Sequence, residues 1–203
     1  MTDKSREIEE NGYTIIDDIL NNSEIKEIIS LIEKADKEND TFRKTNELFA
    51  IRQFLKGIPG IKSLLFNNNT KSVIQETFGS EYFIVKSIYF DKPGLSNWFV
   101  SYHQDLTISV DRKNNIPGFG PWTVKQNQFA VQPPQEILES NFTIRFHLDD
   151  TNENNGALRV IPGSHKRGVI RSETINLKTQ MENICCIKAG GAMITNHPQL
   201  SNL

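Results

Sequence analysis

Apolar and polar residues alternate strictly between Phe142 and Asp149. In an extended strand successive side chains point to opposite faces, so the alternation separates the residues into two sets. The apolar set is Phe142, Ile144, Phe146 and Leu148, and the polar set is Thr143, Arg145, His147 and Asp149. A strand with one apolar face needs a second layer to cover that face. We therefore expect a two-layer β-structure in which a facing sheet covers the apolar side.

The sequence changes character near residue 80. Before that point it is mainly helical in pattern: Ile25, Ile28, Ile29 and Ile32 follow the spacing of one buried helical face. Asn22 or Ser23 is the expected N-cap of that helix. Further helices are predicted at 47–56, 60–66 and 70–78. After residue 80 the aromatic and β-branched segments predict strands at 82–90, 98–103, 157–161, 184–188 and 192–195. Residues 111–140 are rich in Pro, Gly, Asn and Gln and predict a long loop. Helices followed by short strands indicate an antiparallel barrel or sandwich under a helical cover.

Composition narrows the class of protein. A length of 203 residues fits one domain, 1–203, with a helical cover over about 1–80 and a β-core over about 82–203. The formal net charge of −2 argues against nucleic acid as a partner. No apolar run approaches the roughly 20 residues of a membrane span. Cys185 and Cys186 are adjacent, which suits neither a disulfide nor a metal pair, and we expect a cytoplasmic protein.

Two His-x-Asp pairs are candidate metal ligands. Residues i and i+2 of a strand point the same way, so both side chains of such a pair can reach one metal ion. His103 and Asp105 have this spacing, and so do His147 and Asp149. Spacing alone does not decide between the pairs, and either is also compatible with hydrogen-bonded polar residues in a β-barrel.

The surroundings of His103 decide between the pairs. The stretch 97–107, Asn-Trp-Phe-Val-Ser-Tyr-His-Gln-Asp-Leu-Thr, resembles the metal-binding strand of the phytanoyl-CoA dioxygenase-like family. Four further segments resemble the family in the same order along the chain. They are Gly12–Ile16, Tyr89–Pro93, Phe142–Thr151 and Asn155–His165. The resemblance extends over roughly residues 10 to 195.

This resemblance implies a double-stranded β-helix, the jelly roll also seen in cupins, with its C-terminal part incomplete here. It implies a non-haem iron, 2-oxoglutarate-dependent oxygenase in which His103 and Asp105 bind Fe(II). Ascorbate is the expected reductant. Lys86 and Trp122 fall where the family places residues near the 2-oxoglutarate pocket. Arg145 is expected either to bind an anionic group of the substrate, since guanidinium pairs with carboxylates, or to form a buried ion pair with Asp149 or Asp105.

The third iron ligand departs from the family pattern. Counting from Gly190 and Gly191 places the expected histidine at about Ser201, and counting from Pro198 places it at Asn202. His197 is the nearest histidine, and four residues along a strand correspond to roughly 13 Å. Either His197 is a displaced ligand, or the sequence is shortened or altered after about residue 196; we favour the second. The arginine that binds the distal carboxylate of 2-oxoglutarate in the family has no counterpart here.

Three functions remain open at this stage. The first is an oxygenase that hydroxylates a small organic molecule, impaired in this chain by the missing histidine and arginine. The second is a degenerate, non-catalytic jelly-roll binding protein. The third is a cupin-like metal protein that uses His103, Asp105 and His147. The identity of the substrate and the oligomeric state do not follow from the sequence.

Overall fold

The computed structural model describes residues 2–35, 42–44, 49–91, 101–125, 128–170 and 180–202. Most of its helices precede residue 80, as the sequence pattern predicts. The six α-helices are α1 (Asp3–Asn11), α2 (Asn22–Lys34), α3 (Phe54–Gly57), α4 (Ile61–Leu65), α5 (Asn68–Phe78) and α6 (Gln135–Glu139). A 3-10 helix spans Ser164–Arg167. Within the described residues, no helix has the length and apolar character needed to cross a membrane.

Local chemistry explains where α2 begins. The side chain of Asn21 accepts hydrogen bonds from the backbone of Ser23 and Glu24, and the Glu24 carboxylate accepts one from the Asn21 backbone. This reciprocal capping box satisfies backbone donors that the first turn leaves without partners. The N-cap is therefore Asn21, and the expectation of Asn22 or Ser23 was wrong by one or two residues. Ile25, Ile28 and Ile32 form the buried face of the helix.

One sheet, here called the main sheet, has the order β1–β12–β9. Its strands are β1 (Tyr13–Ile16), β12 (Ala192–Asn196) and β9 (Phe142–Phe146). All pairs are antiparallel, with Ile15 opposite Met193 and Met193 opposite Arg145. Directly opposite residues project to the same face. Arg145 therefore lies on the same face of the main sheet as Met193 and Ile15.

A second sheet, here called the facing sheet, has the order β11–β10–β13–β5. Its strands are β11 (Asn183–Cys185), β10 (Leu158–Val160), β13 (Leu200–Asn202) and β5 (His103–Gln104). These pairs are antiparallel as well. Of the strand expected over 98–103, residues 98–100 lie outside the described part of the chain, residues 101 and 102 are not in a strand, and β5 begins at His103.

Two further three-stranded sheets lie outside this pair. One contains β2 (Phe42–Lys44), β3 (Phe49–Arg52) and β4 (Ile88–Asp91), and the other contains β6 (Ile108–Val110), β7 (Trp122–Lys125) and β8 (Gln128–Val131). The predicted helix over 47–56 was wrong in its first half, because β3 pairs with β4 there and only α3 is helical. The predicted loop over 111–140 was wrong as well, since it contains β7, β8 and α6.

The hydrophobic core has two parts. The larger part joins the outer face of the main sheet to the helices, and Ile144 and Phe146 pack there against buried helical residues. The smaller part lies between the two sheets, where Met193 packs with Val160 and Cys185. The apolar face of β9 is thus covered by helices rather than by a facing sheet, which corrects our expectation. The polar face of β9, which carries Thr143 and Arg145, is directed toward the facing sheet.

The strand expected over 82–90 forms only in part. Residues 81–87 carry no strand pairing, and Ile88–Asp91 pairs with β3 instead of joining the main sheet. Tyr82 contacts Phe142 at a ring-centroid distance of 4.9 Å, so the segment starts beside β9. Phe83 is 86% exposed. Among the described strands, β12 alone pairs with β9, whose other edge is open.

Candidate active site

The sheet pairing shows where His103 points. His103 lies opposite Ser201 on β13, and Ser201 lies opposite Val160 on β10. Val160 is fully buried in the core between the two sheets. Because opposite residues share a face, His103 and Ser201 also project toward the space between the sheets. The imidazole of His103 is exposed to solvent, and we call this solvent-accessible end of the space between the sheets the open end.

A backbone contact orients the His103 ring. Its Nδ1 atom lies 2.9 Å from the carbonyl oxygen of Ser101. A carbonyl can only accept, so Nδ1 carries the proton and Nε2 keeps a free lone pair. Metal-bound histidines are commonly oriented in this way, with one nitrogen donating to a carbonyl and the other free to coordinate.

Asp105 follows His103 at the spacing that returns to the same face of an extended chain. Its Oδ1 atom lies 3.8 Å from the Nζ atom of Lys86, and both side chains are partly exposed. The backbone oxygen of Asp105 contacts His197. Lys86, Asp105 and His197 therefore lie together at the open end, beside His103.

Both ring nitrogens of His197 are already engaged. Nδ1 lies 2.9 Å from the backbone oxygen of Asp105, and Nε2 lies 2.7 Å from Oγ1 of Thr143 on β9. The carbonyl fixes the proton on Nδ1, so Nε2 accepts from the threonine hydroxyl. Burial lowers the pKa of His197, and the negative charge of Asp105 only partly opposes this shift. His197 thus connects the two sheets as a neutral imidazole.

Arg145 lies two residues beyond Thr143 on the inner face of β9. Burial lowers the pKa of its guanidinium, and the negative charge of Asp149 acts in the opposite direction. Neither Asp149 nor Asp105 forms an ion pair with it, and no hydrogen-bond partner is found for it in the described part of the chain. A half-buried guanidinium without a partner has its N–H donors available for an anion.

The rival pair has different surroundings. His147 is 4% exposed, and its Nδ1 atom lies 3.2 Å from Oγ1 of Thr151. Burial, with a smaller contribution from the positive charge of Arg145, lowers the pKa of His147 to about 4. Its Nε2 atom is buried, and the described residues offer it no hydrogen-bond partner. His147 is therefore a neutral residue of the interior, on the same face as Arg145.

Trp122 lies on β7, away from the two facing sheets. It contributes to a cavity of 220 Å³ together with Val110, Ile116 and Phe119. Neither His103 nor Asp105 belongs to the lining of that cavity. Of the residues predicted for the co-substrate pocket, the structure brings Lys86 next to Asp105 and leaves Trp122 in a separate cavity.

The donor set fits a metal ion only in part. His103 and Asp105, two residues apart, offer one imidazole nitrogen and one carboxylate. The neighbouring position across the sheet is Ser201, and both nitrogens of His197 are occupied. Across the described ranges, no group of three or more His, Cys, Asp or Glu side chains is arranged to hold a metal ion. If His103 and Asp105 bind a metal as the sequence predicts, they would be two of the three protein ligands that a two-histidine, one-carboxylate iron site requires.

Sequence reasoning missed Thr143 and the structural role of His197. Thr143 belongs to the polar set of β9, so the alternation places it on the correct face. Its contact with His197 joins residues 54 positions apart, and no local pattern reports a pairing over that distance.

Comparison with solved structures supports the fold. The carbocyclase SnoK, a non-haem α-ketoglutarate-dependent enzyme of nogalamycin biosynthesis, matches with a TM-score of 0.73 at 15% identity, covering 100% of this chain and 76% of its own. EctD from S. alaskensis, solved with 2-oxoglutarate and 5-hydroxyectoine, matches at 0.74 and 19%, covering 100% and 69%. HygX from Streptomyces hygroscopicus, solved with nickel, 2-oxoglutarate and hygromycin B, matches at 0.65 and 11%, covering 100% and 80%. The two sheets of this chain thus form the jelly roll of these oxygenases.

Sequence comparison identifies the protein family. No curated protein matches the chain. The family model described as phytanoyl-CoA dioxygenase (PhyH) matches residues 8–197, which include the main sheet, the facing sheet except β13, and the His103–Asp105 pair. The chain therefore belongs to the phytanoyl-CoA dioxygenase family of non-haem iron, 2-oxoglutarate-dependent oxygenases.

Proposed function

We propose that this chain binds Fe(II) through His103 and Asp105 and acts with 2-oxoglutarate on a small, anionic organic molecule. The observation that supports the proposal is the register that directs His103 toward the space between the sheets, with Asp105 two residues on and exposed beside Lys86. Nε2 of His103 is free, and the Asp105 carboxylate is exposed beside it. Bound Fe(II) and 2-oxoglutarate supply the oxidising power for attack on an unactivated C–H bond.

Two positively charged side chains, Lys86 and Arg145, would bind the anionic groups of the co-substrate and the substrate. Lys86 lies at the open end next to Asp105, where it would attract a carboxylate of 2-oxoglutarate. Arg145 lies deeper, two residues beyond Thr143, and would pair with an anionic group of the substrate. EctD and HygX are solved with the small molecules 5-hydroxyectoine and hygromycin B, which supports a small-molecule substrate here. Trp122 has no support from the structure for a role at the co-substrate.

The protein orients the two proposed metal ligands and holds them in place. The Ser101 carbonyl fixes the tautomer of His103, and His197 fixes the backbone of Asp105 against β9. Such supporting contacts keep the ligands within the narrow geometry that a metal requires. Two protein ligands hold a metal less firmly than three, so we expect weak metal affinity and slow turnover of 2-oxoglutarate.

A non-catalytic binding protein is the second candidate. It is favoured by Ser201, which cannot replace an imidazole as a strong ligand, and by the two-ligand donor set. The third possibility, a site built from His103, Asp105 and His147, has less support. His147 is buried with its Nδ1 against Thr151, and the described residues do not group it with the other two.

Metal titration tests the assignment. Binding of Ni(II), a redox-inert substitute for Fe(II), is measured by calorimetry on the wild type, on His103→Ala and on His147→Ala. We expect His103→Ala to lose binding and His147→Ala to retain it. Succinate formation with Fe(II) and 2-oxoglutarate then separates the two functions. An enzyme forms succinate slowly and stops when His103 is replaced, whereas a binding protein forms none. Loss of Ni(II) binding only in His147→Ala would contradict the proposed site.

A further inference from the structure

The last strand of the facing sheet offers one position next to the proposed metal site. Leu200 lies opposite Gln104, and Ser201 lies opposite His103. Side chains at successive strand positions point to opposite faces. Of the residues of β13, Ser201 is therefore the one that shares a face with His103.

On the outer face of β5, the Gln104 side chain binds the backbone of nearby loops. The Gln104 side chain donates to the backbone oxygens of Gly168 and Pro198 and accepts from the backbone N–H of Ile170. It therefore ties three loop positions to β5 on the side away from His103. Leu200 and Asn202 lie on that side and are both buried. Neither can place a side chain next to His103 without breaking the strand pairing.

The distance between His103 and the opposite position 201 allows both side chains to bind one metal ion. Opposite residues of an antiparallel pair have Cβ atoms about 4.5–5.5 Å apart. Two ligands of one metal ion, each bonded at about 2.0–2.2 Å, fall within that span once their side chains converge. Ser201 is only partly buried, so there is room for a larger side chain that points into the open end.

We propose that Ser201 occupies the third-ligand position of this site, and that the single change Ser201→His completes a three-ligand metal centre with His103 and Asp105. The proposal rests on the proposed function, because it takes the metal to lie at His103 and Asp105. It excludes Asn202, which the count from Pro198 indicates, and it excludes His197, whose nitrogens are engaged by Thr143 and Asp105. The chain thus retains the backbone of a three-ligand site and lacks one side chain.

The test compares metal affinity in matched variants. Ni(II) binding is measured by calorimetry for the wild type, Ser201→His, Ser201→Ala and Asn202→His. We expect Ser201→His to lower the Kd about tenfold or more, because it adds one coordinate bond. Ser201→Ala should bind as the wild type does. Asn202→His should bring no gain, since position 202 is on the opposite face.

A cysteine variant gives an independent readout that tolerates poor folding of the histidine variant. Ser201→Cys differs from the wild type by one atom, so it preserves the packing. With Co(II), a coordinated thiolate produces an intense charge-transfer band in the near ultraviolet. The wild type, which has the same Cys185 and Cys186, is the control. We expect the band in Ser201→Cys and its loss when His103→Ala is added.

The outcomes separate the inference from the proposed function. If His103→Ala weakens Ni(II) binding but neither Ser201→His nor Ser201→Cys shows the expected gain, the third-ligand position is not 201 and the proposed metal site stands. If Asn202→His shows the gain instead, the register across β13 is wrong. If His103→Ala leaves wild-type binding unchanged, both the metal site and the inference are overturned.

Discussion

The imidazole of His197 bridges Thr143 and the backbone of Asp105, with Nδ1 2.9 Å from the Asp105 oxygen. The bridge joins β9 to the segment that carries the candidate ligand. Breaking a half-buried hydrogen bond leaves a polar group without a partner, which costs about 1–3 kcal/mol. We predict that His197→Ala and Thr143→Val each lower the free energy of unfolding by about that amount. Urea denaturation measures the loss.

A double-mutant cycle is the control for this bridge. If the two residues act through one contact, the double variant loses less than the sum of the single losses, by roughly 0.5 kcal/mol or more. The folded His197→Ala protein should bind Ni(II) with an affinity within a few-fold of the wild type. Complete loss of metal binding with an intact fold would make His197 the displaced third ligand after all.

Among the residues that the structure describes, no ion-pair or hydrogen-bond partner is found for the half-buried guanidinium of Arg145. Replacing a buried charge by an apolar side chain of similar volume is often neutral or stabilising, by about 1–4 kcal/mol. We predict that Arg145→Met raises the free energy of unfolding by about 1 kcal/mol in the absence of ligands. The same change should abolish the thermal stabilisation that we expect succinate, used as a simple stand-in for an anionic substrate, to give the wild type.

Arg159→Met is the matched control for this experiment. Arg159 lies on the outer face of β10 and pairs with Glu182 at 2.6 Å, with both side chains partly exposed. Its replacement should leave stability within about 0.5 kcal/mol of the wild type and retain the response to succinate. A fall in stability in Arg145→Met would show that the guanidinium has a structural partner.

His147 makes the fold sensitive to acid. Its folded-state pKa is about 4, below the unperturbed value of about 6.5. Between those values the unfolded chain binds more protons than the folded one, so stability falls as the pH decreases from about 6.5 to about 4. The limiting slope for one group is about 1.4 kcal/mol per pH unit. We predict that His147→Asn flattens this part of the curve, as measured by denaturation between pH 4 and 7. Parallel curves for the two proteins would contradict the prediction.

Lys86 is expected to contribute to co-substrate binding and not to metal binding. Its ammonium is 3.8 Å from the Asp105 carboxylate at the open end. We predict that Lys86→Met raises the KM for 2-oxoglutarate about fivefold, because one charge interaction of about 1 kcal/mol is lost. Affinity for Ni(II) should not fall. Lys188→Met removes a lysine from another exposed pair, with Asp150, and should change neither quantity.

The sequence predicts the secondary structure best where apolar and polar residues alternate or recur at a regular spacing. The alternation in β9 shows which of its residues are apolar and which are polar. It does not show that helices cover the apolar side, because that depends on the packing of α2 and α4 against Ile144 and Ile194. The segment 47–56 has helix-compatible residues, yet Ala50 and Ile51 are buried in a strand through pairing with Tyr89 and Phe90. Tertiary pairing outweighs weak local preference there.

For the candidate site, too, local features follow from the sequence and long-range pairings do not. The spacing of His103 and Asp105 is local, so the sequence predicts that they share a face. The position opposite His103 depends on the pairing of β5 with β13, which lie almost 100 residues apart along the chain. Sequence counting leaves Ser201 and Asn202 as equal candidates for that position. The observed register separates them, because a shift by one residue would reverse the faces of every side chain of β13.

The pairing of β1 with β12 has a consequence for how this protein is made. Tyr13 leaves the ribosome early, and its partner Thr195 leaves it late. The main sheet therefore cannot close until nearly all of the described residues have been synthesised. Contacts between residues so distant in sequence form slowly. During translation β1 and the helical residues that pack on this sheet are without their cover, and they are open to chaperones and to aggregation. For this chain we expect recombinant yield to depend on the rate of synthesis and on temperature.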